Sequence, residues 1–242
     1  MRFTTFVSLA VLAGFAAAVP TAPAPRDCSA EVARYNMERR EARGLTKRTF
    51  YANMLNLTCV TAPETVLENY VENPPVISDI TAGQLGVAFT VDIGVMDTTT
   101  CKPLSDVMVE LWGPNAVGDY GSFLRGAVQT ASNGIAEFQT IFPGYTTGSA
   151  NHLSLLVHPS ASESSGVVHT GQLFFTDPWT NIIGQYTNYN LNKNSRMLNA
   201  ADPNFAAANK NGFNSIIDIE EIHDDWPEGI IGYITVGVNP TK

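Results

Sequence analysis

From Gly86 to Asp97 apolar and polar side chains alternate strictly. Val87, Phe89, Val91, Ile93 and Val95 fall on one face, and Ala88, Thr90, Asp92 and Met96 on the other. A period of two residues marks a strand with one buried face, so the spacing predicts a half-buried β-strand here. Further strands are predicted at Val107, Val109 and Leu111, from Ile135 to Phe142, from His152 to His158, from Gly171 to Phe175 and from Ile230 to Val238. Turn signals separate them: Thr98 to Pro103, and the Asn133-Gly134 pair, which favours a tight hairpin. Helical periodicity is almost absent after residue 49. Many short strands divided by turns predict an all-β fold, an antiparallel β-sandwich. The asparagine-rich stretch from Thr187 to Asn214 lacks the pattern and reads as a long excursion between strands, of the kind that is often functional or mobile.

The first 48 residues are patterned differently. Arg2, an apolar run from Phe6 to Ala18 and the small residues Ala16 to Ala18 read as a secretory signal peptide over residues 1–18. The run is too short to span a bilayer. Residues 19–48 read as a propeptide, because the polar, arginine-rich segment from Arg26 ends in the dibasic pair Lys47-Arg48. The competing reading is a solvated helix from Glu31 to Arg43, capped by Ser29, that stays attached. Residues 49–242 are then the single folded domain of a secreted protein, long enough for a full core.

Charge sharpens this division. Of 14 Lys+Arg and 23 Asp+Glu, eight basic and four acidic residues precede Thr49, so the remainder carries 6 against 19, a net charge of −13. Nucleic acid and anionic membrane surfaces repel such a body, which leaves small or neutral partners. Loss of Cys28 with the propeptide would leave Cys59 and Cys101 as an even pair in an oxidising compartment, and a Cys59–Cys101 disulfide is expected. Asn56-Leu57-Thr58 is an N-glycosylation sequon.

Two segments, Val109 to Gly126 (VELWGPNAVGDYGSFLRG) and Phe142 to His158 (FPGYTTGSANHLSLLVH), carry the chemistry. Together they resemble the metal-binding core of the intradiol ring-cleavage dioxygenases, in particular the secreted fungal branch. That family shows W-H-x-x-x-x-G-x-Y, then F-L-R-G, then P-G-x-Y-x-x-R-x-x-H-I-H. The resemblance runs from about Cys59 to the C-terminus and implies the intradiol type of β-sandwich. It also implies a non-haem ferric iron held by two tyrosines and two histidines, and a catechol-type aromatic substrate. Trp112, Gly118, Tyr120, Pro143, Gly144 and His152 match. Tyr120 and His152 therefore fall on retained iron-ligand positions. The second tyrosine, the active-site arginine and the second histidine are replaced by Thr146, Ser149 and Ser154. Glu68 and Asn69 stand where the related entry segment has Gly-Pro.

Ferric iron favours anionic oxygen, which phenolate supplies and a threonine hydroxyl does not; serine brings no positive charge. Tyr145, beside Thr146, is the candidate substitute ligand, although in an extended segment a one-residue offset turns a side chain to the other face. His158 shares a face with His152 but lies roughly 13 Å beyond Ser154 at ~3.3 Å per residue, too far to share its metal. His169 and Arg125 read as structural, His223 as part of a solvated acidic turn, and Trp112 and Gln172 as cleft residues near the substrate position. The primary expectation is a secreted dioxygenase-like protein whose iron chemistry is lost and which binds an aromatic or other small ligand, with iron(III) as cofactor only if the site is rebuilt. The alternatives are an active dioxygenase using Tyr120, His152 and Tyr145, and a structural protein without ligand.

Overall fold

The computed structural model describes residues 27–44 and 64–241. The segments holding the signal peptide, Lys47, Arg48, Asn56 and Cys59 lie outside the described residues. Among the described residues there are two sheets and few helices. Strand β1 (Ala88–Asp97) is the centre of the first sheet. On one side it pairs with β5 (Ile135–Ile141) along residues 88–94 and with the two-residue β2 (Lys102–Pro103) at its end. On the other side it pairs with β9 (Ile230–Val238), which pairs in turn with β8 (Asp218–Glu221). The second sheet runs β4 (Arg125–Gln129), β3 (Met108–Trp112), β6 (His152–His158), β7 (His169–Phe174), antiparallel throughout.

The expectation of a wholly antiparallel fold is corrected by β1 and β9, which run parallel over nine residue pairs from Phe89–Ile230 to Asp97–Val238. Nothing in the local pattern reports such a pairing, because the partners lie more than 130 residues apart. Asn133-Gly134 does form a turn, with Gly134 N–H donating to the Ala131 carbonyl at 2.8 Å. The strands it joins, β4 and β5, belong to different sheets, so it is a crossing between layers and not a hairpin. One hydrophobic core draws on both sheets, with Val87, Phe89, Val91, Ile93 and Val95 against Val109, Leu111, Leu153, Leu155 and Val157.

The polar face of β1 was expected to meet water, and from Asp92 onward it does not. Helix α1 (Ser29–Ala42) lies across it, capped at Cys28 and not at Ser29, whose own N–H donates to the Asp27 carboxylate. Arg39 Nη1 donates to Asp92 Oδ1 at 2.6 Å with both side chains almost fully buried. Arg40 pairs with Asp218 and Glu220, and Arg43 with Asp92 and Glu137. The expected Cys59–Cys101 disulfide is also overturned: Cys101 is bonded to Cys28, across 73 residues of sequence. The balance of six basic against 19 acidic residues therefore omits the arginines that neutralise the sheet. Among the described residues, no helix is long and apolar enough to cross a membrane.

Of two further short helices, α2 (Asp177–Gly184) precedes the excursion and α3 (Pro203–Ala208) lies within it. Its residues support the rest of the fold. Tyr189 is buried and its hydroxyl donates to the Phe142 carbonyl at 2.6 Å while accepting from Val87 N–H at 3.1 Å.

Candidate functional site

Two loops meet where the sequence motifs place the chemistry: Gly113 to Leu124 between β3 and β4, and Phe142 to Asn151 between β5 and β6. Their glycines explain the meeting. Gly144 N–H donates to the Asn115 carbonyl at 3.0 Å, and a Cβ on Gly144 would lie 2.2 Å from the Ala116 oxygen. Gly118 sits at φ +85, and a Cβ there would lie 2.5 Å from the Tyr145 oxygen. Backbone packs on backbone, which only glycine permits. Asn192 and Asn194 of the excursion tie the loops further, both donating to the Tyr145 carbonyl, with Asn194 also donating to that of Val117.

His152 begins β6 on the face opposite the core and is buried to 3% exposure against the Phe174 ring, 5.5 Å between centroids. Its Nδ1 lies 2.8 Å from the Ala150 carbonyl, a partner that can only accept, so Nδ1 carries the proton and the lone pair is on Nε2. That lone pair faces the Gln172 amide nitrogen at 3.1 Å. Burial lowers the His152 pKa, against the Ala150 hydrogen bond and the charges of Glu68 and Asp202, and the ring stays neutral. Asp202, buried in the excursion, accepts from Ala150 N–H at 2.7 Å and so fixes the carbonyl that orients His152.

Tyr120 is half-buried, and its phenol is pushed up to about 12 by burial and the Glu68 charge, with Asn69 and Arg125 opposing. Arg125 itself holds the loop, its Nε donating to the Gly121 carbonyl at 2.8 Å. Thr146 and Ser149 hydrogen-bond each other through their hydroxyls at 2.9 Å. Ser154 stands opposite both Trp112 and Gln172 in the sheet register. Its Oγ and Gln172 Oε1 are buried without a hydrogen-bond partner. The Tyr145 ring lies against Gly184 of α2.

Trp112, read as a cleft residue, is 2% exposed and donates from Nε1 to the Glu68 carbonyl at 2.9 Å, with the Tyr70 ring 5.4 Å away. It clamps the entry segment. His158 is structural, placed between the Glu110 carboxylate at 2.7 Å and the Gly166 carbonyl at 2.6 Å. His223 is exposed, 3.1 Å from Glu228. Sequence reasoning missed Glu68 and Asp202. The signal for Glu68 was a carboxylate standing in place of Gly-Pro; Asp202 had none, since an N-cap aspartate before Pro203 looks like any helix start.

These residues do not fit ferric iron as they stand. The His152 lone pair is engaged by Gln172, the Tyr120 phenol is held protonated, and the remaining family positions offer only neutral hydroxyls, those of Thr146 and Ser149 bonded to each other and that of Ser154 buried without a partner. Among the described residues, no three His, Cys, Asp or Glu gather to hold a metal ion.

No protein-family model matches the chain, and no curated protein matches it either. Solved structures do. An intradiol ring-cleavage dioxygenase from Tetranychus urticae is similar with a TM-score of 0.67 and 28% identity, covering 76% of this chain and 96% of that one. The dioxygenase domain of a carbohydrate-binding fusion from Streptomyces sp. SirexAA-E matches with a TM-score of 0.54 and 22% identity, covering 73% and 96%. A 3-chlorocatechol 1,2-dioxygenase from Rhodococcus opacus 1CP matches with a TM-score of 0.51 and 16% identity, covering 87% and 80%. The last two speak for the fold alone. With the motif residues of the two loops brought together on that fold, the chain is an intradiol dioxygenase-like protein.

Proposed function

We propose that this is a secreted intradiol dioxygenase-like protein that has lost ferric ring cleavage and holds a small aromatic molecule beside Tyr120 and Thr146. The sandwich reading of the fold is supported by the single core shared between the two sheets. The loss of cleavage rests on one observation: the His152 lone pair is taken by the Gln172 amide. Thr146 and Ser154 stand at the family positions that would complete a ligand set, and neither side chain supplies an imidazole or a phenolate. Ser149 brings no charge to stabilise a developing anion, a role worth several kcal/mol in general. An aromatic ligand is supported by the solved relatives, which include enzymes named for 3-chlorocatechol and hydroxyquinol. The half-buried Tyr120 phenol, held neutral, can donate to a hydroxyl or carboxylate of such a ligand.

Colour is the test. Tyrosinate on ferric iron absorbs visible light, so the wild-type protein with ferric salt should stay colourless and take up no oxygen with catechol. The triple variant Thr146→Tyr, Ser149→Arg, Ser154→His should colour. Stoichiometric coloured iron in the wild type, abolished in Tyr120→Phe and weakened in Glu68→Gln, would instead establish a rebuilt site, in which Glu68 serves because its charge bears on both Tyr120 and His152.

A further inference from the structure

The N-terminal helix is seated as part of the fold. Arg39 and Arg40 of α1 and Arg43 at its C-terminal cap reach carboxylates from three strands: Asp92 of β1, Glu137 of β5, and Asp218 and Glu220 of β8. The guanidinium groups of Arg39, Arg40 and Arg43 each lie within 6 Å of the Tyr233 ring centre. Asn36 accepts from both Arg39 and Thr235, and the Tyr35 hydroxyl donates to the Asn133 carbonyl at 2.8 Å. Cys28, at the start of the helix, is fully buried and bonded to Cys101. The dibasic pair Lys47-Arg48 comes four residues after this anchored segment.

We propose that the mature protein retains this segment as a second, disulfide-linked chain on the acidic face of the first sheet. The inference rests on the reading of a secretory leader and a processing site. Cutting after Arg48 hydrolyses one peptide bond: water adds a hydroxyl to the Arg48 carbonyl and a proton to the Thr49 nitrogen, and the Cys28–Cys101 bond is untouched. The freed segment remains tethered, at an effective concentration of order mM for a short linkage, and its ion pairs stay formed. Processing then does not unveil the candidate site either. The contacts of α1 are on the first sheet and its loops, whereas His152, Ser154 and Gln172 belong to the second.

Intact mass of the secreted wild-type protein, with and without reduction, tests this. Before reduction one species should contain both segments; after reduction and alkylation two chains should appear, the smaller ending at Arg48. Hydrogen exchange of the two-chain form should show slow exchange across residues 29–42. A mature species beginning near Thr49 without the Cys28 segment overturns the proposal, as does rapid exchange of the helix. One chain after reduction overturns it through the processing step alone, and non-reducing peptide mapping reports the Cys28–Cys101 bond separately.

Discussion

At the scale of single residues, the motif glycines and His152 carry different kinds of information. Gly118 and Gly144 match the family pattern because two backbones touch there, so Gly144→Ala should destabilise the fold by about 3 kcal/mol in urea titrations, the upper range for overpacking. An unchanged midpoint would show that the loops can part without loss. His152 matches because it sits on a ligand position, yet here it is a buried neutral ring. Its pKa is lowered, chiefly by burial. As pH falls through the unfolded-state value of ~6.5, the unfolded chain gains a proton that the folded chain does not, so His152 removes stability below that pH. His152→Gln should flatten that decline between pH 8 and pH 5. Asp218 acts in the opposite direction, since burial raises it to about 6 and its contribution is lost as pH rises through that value. The comparison is therefore made as the difference between wild type and variant, and an identical pH profile in the two proteins would refute the account. Ligand positions were legible in the sequence, but the contact of Gln172 with His152 was not: the register sets Gln172 opposite Ser154 and so diagonal to His152, which spacing along one strand does not report.

Among the elements, strands with strict alternation were legible nearly to their ends: β6 and β9 span the stretches that the pattern marks. The short β2, β4 and β8 were not, and β4 shows why. Its Gly126-Ala127 centre is kept small by Ile80 and by the backbone of Pro75 and Ile77, so it lacks the large apolar residues that signal a strand. Helix α1 was misread for a related reason. Its docking face is built of Arg39, Arg40 and Asn36 rather than leucines, so its pattern looks like a solvated helix. The same chemistry hides the second buried face of β1, where Asp92 is the residue that meets it. Arg39→Met should cost about 3 kcal/mol, because Asp92 is left buried with only the more distant Arg43. Arg39→Lys should recover little of this, since one ammonium cannot reach Asp92, Asn36 and Thr235 together as the planar fork does. A double-mutant cycle with Asp92→Asn, read by urea unfolding, measures the pair; a coupling near zero would mean that this buried pair adds nothing to the docking of the helix, which the other contacts of α1 and the disulfide would then carry.

For the whole molecule, the helix, the sheet and the disulfide act together, and the integrity of the chain decides what the disulfide does. In an uncut chain it closes a loop across 73 residues, a constraint on the unfolded state worth about 4 kcal/mol on the chain-entropy account. Cut after Arg48, the chain has no such loop, and the bond becomes the tether that keeps folding unimolecular. The two roles separate in a variant carrying Cys28→Ser and Cys101→Ser. Uncut, it should melt lower than wild type by several degrees and independently of concentration. Cut, it is a noncovalent pair, so its melting temperature should fall on dilution, while cut wild type should melt at the same temperature across a hundredfold range of concentration. Salt should deepen the contrast, because part of the attraction lies at Arg43 and Glu137, which are solvent-accessible and screened, whereas Arg39 and Asp92 are not. Concentration-dependent melting of the cut wild type would mean that the Cys28–Cys101 bond does not hold the two segments together. Concentration-independent melting of the cut variant, with the helix segment absent from the folded species by size-exclusion chromatography, would mean that the sheet stands without its arginine layer.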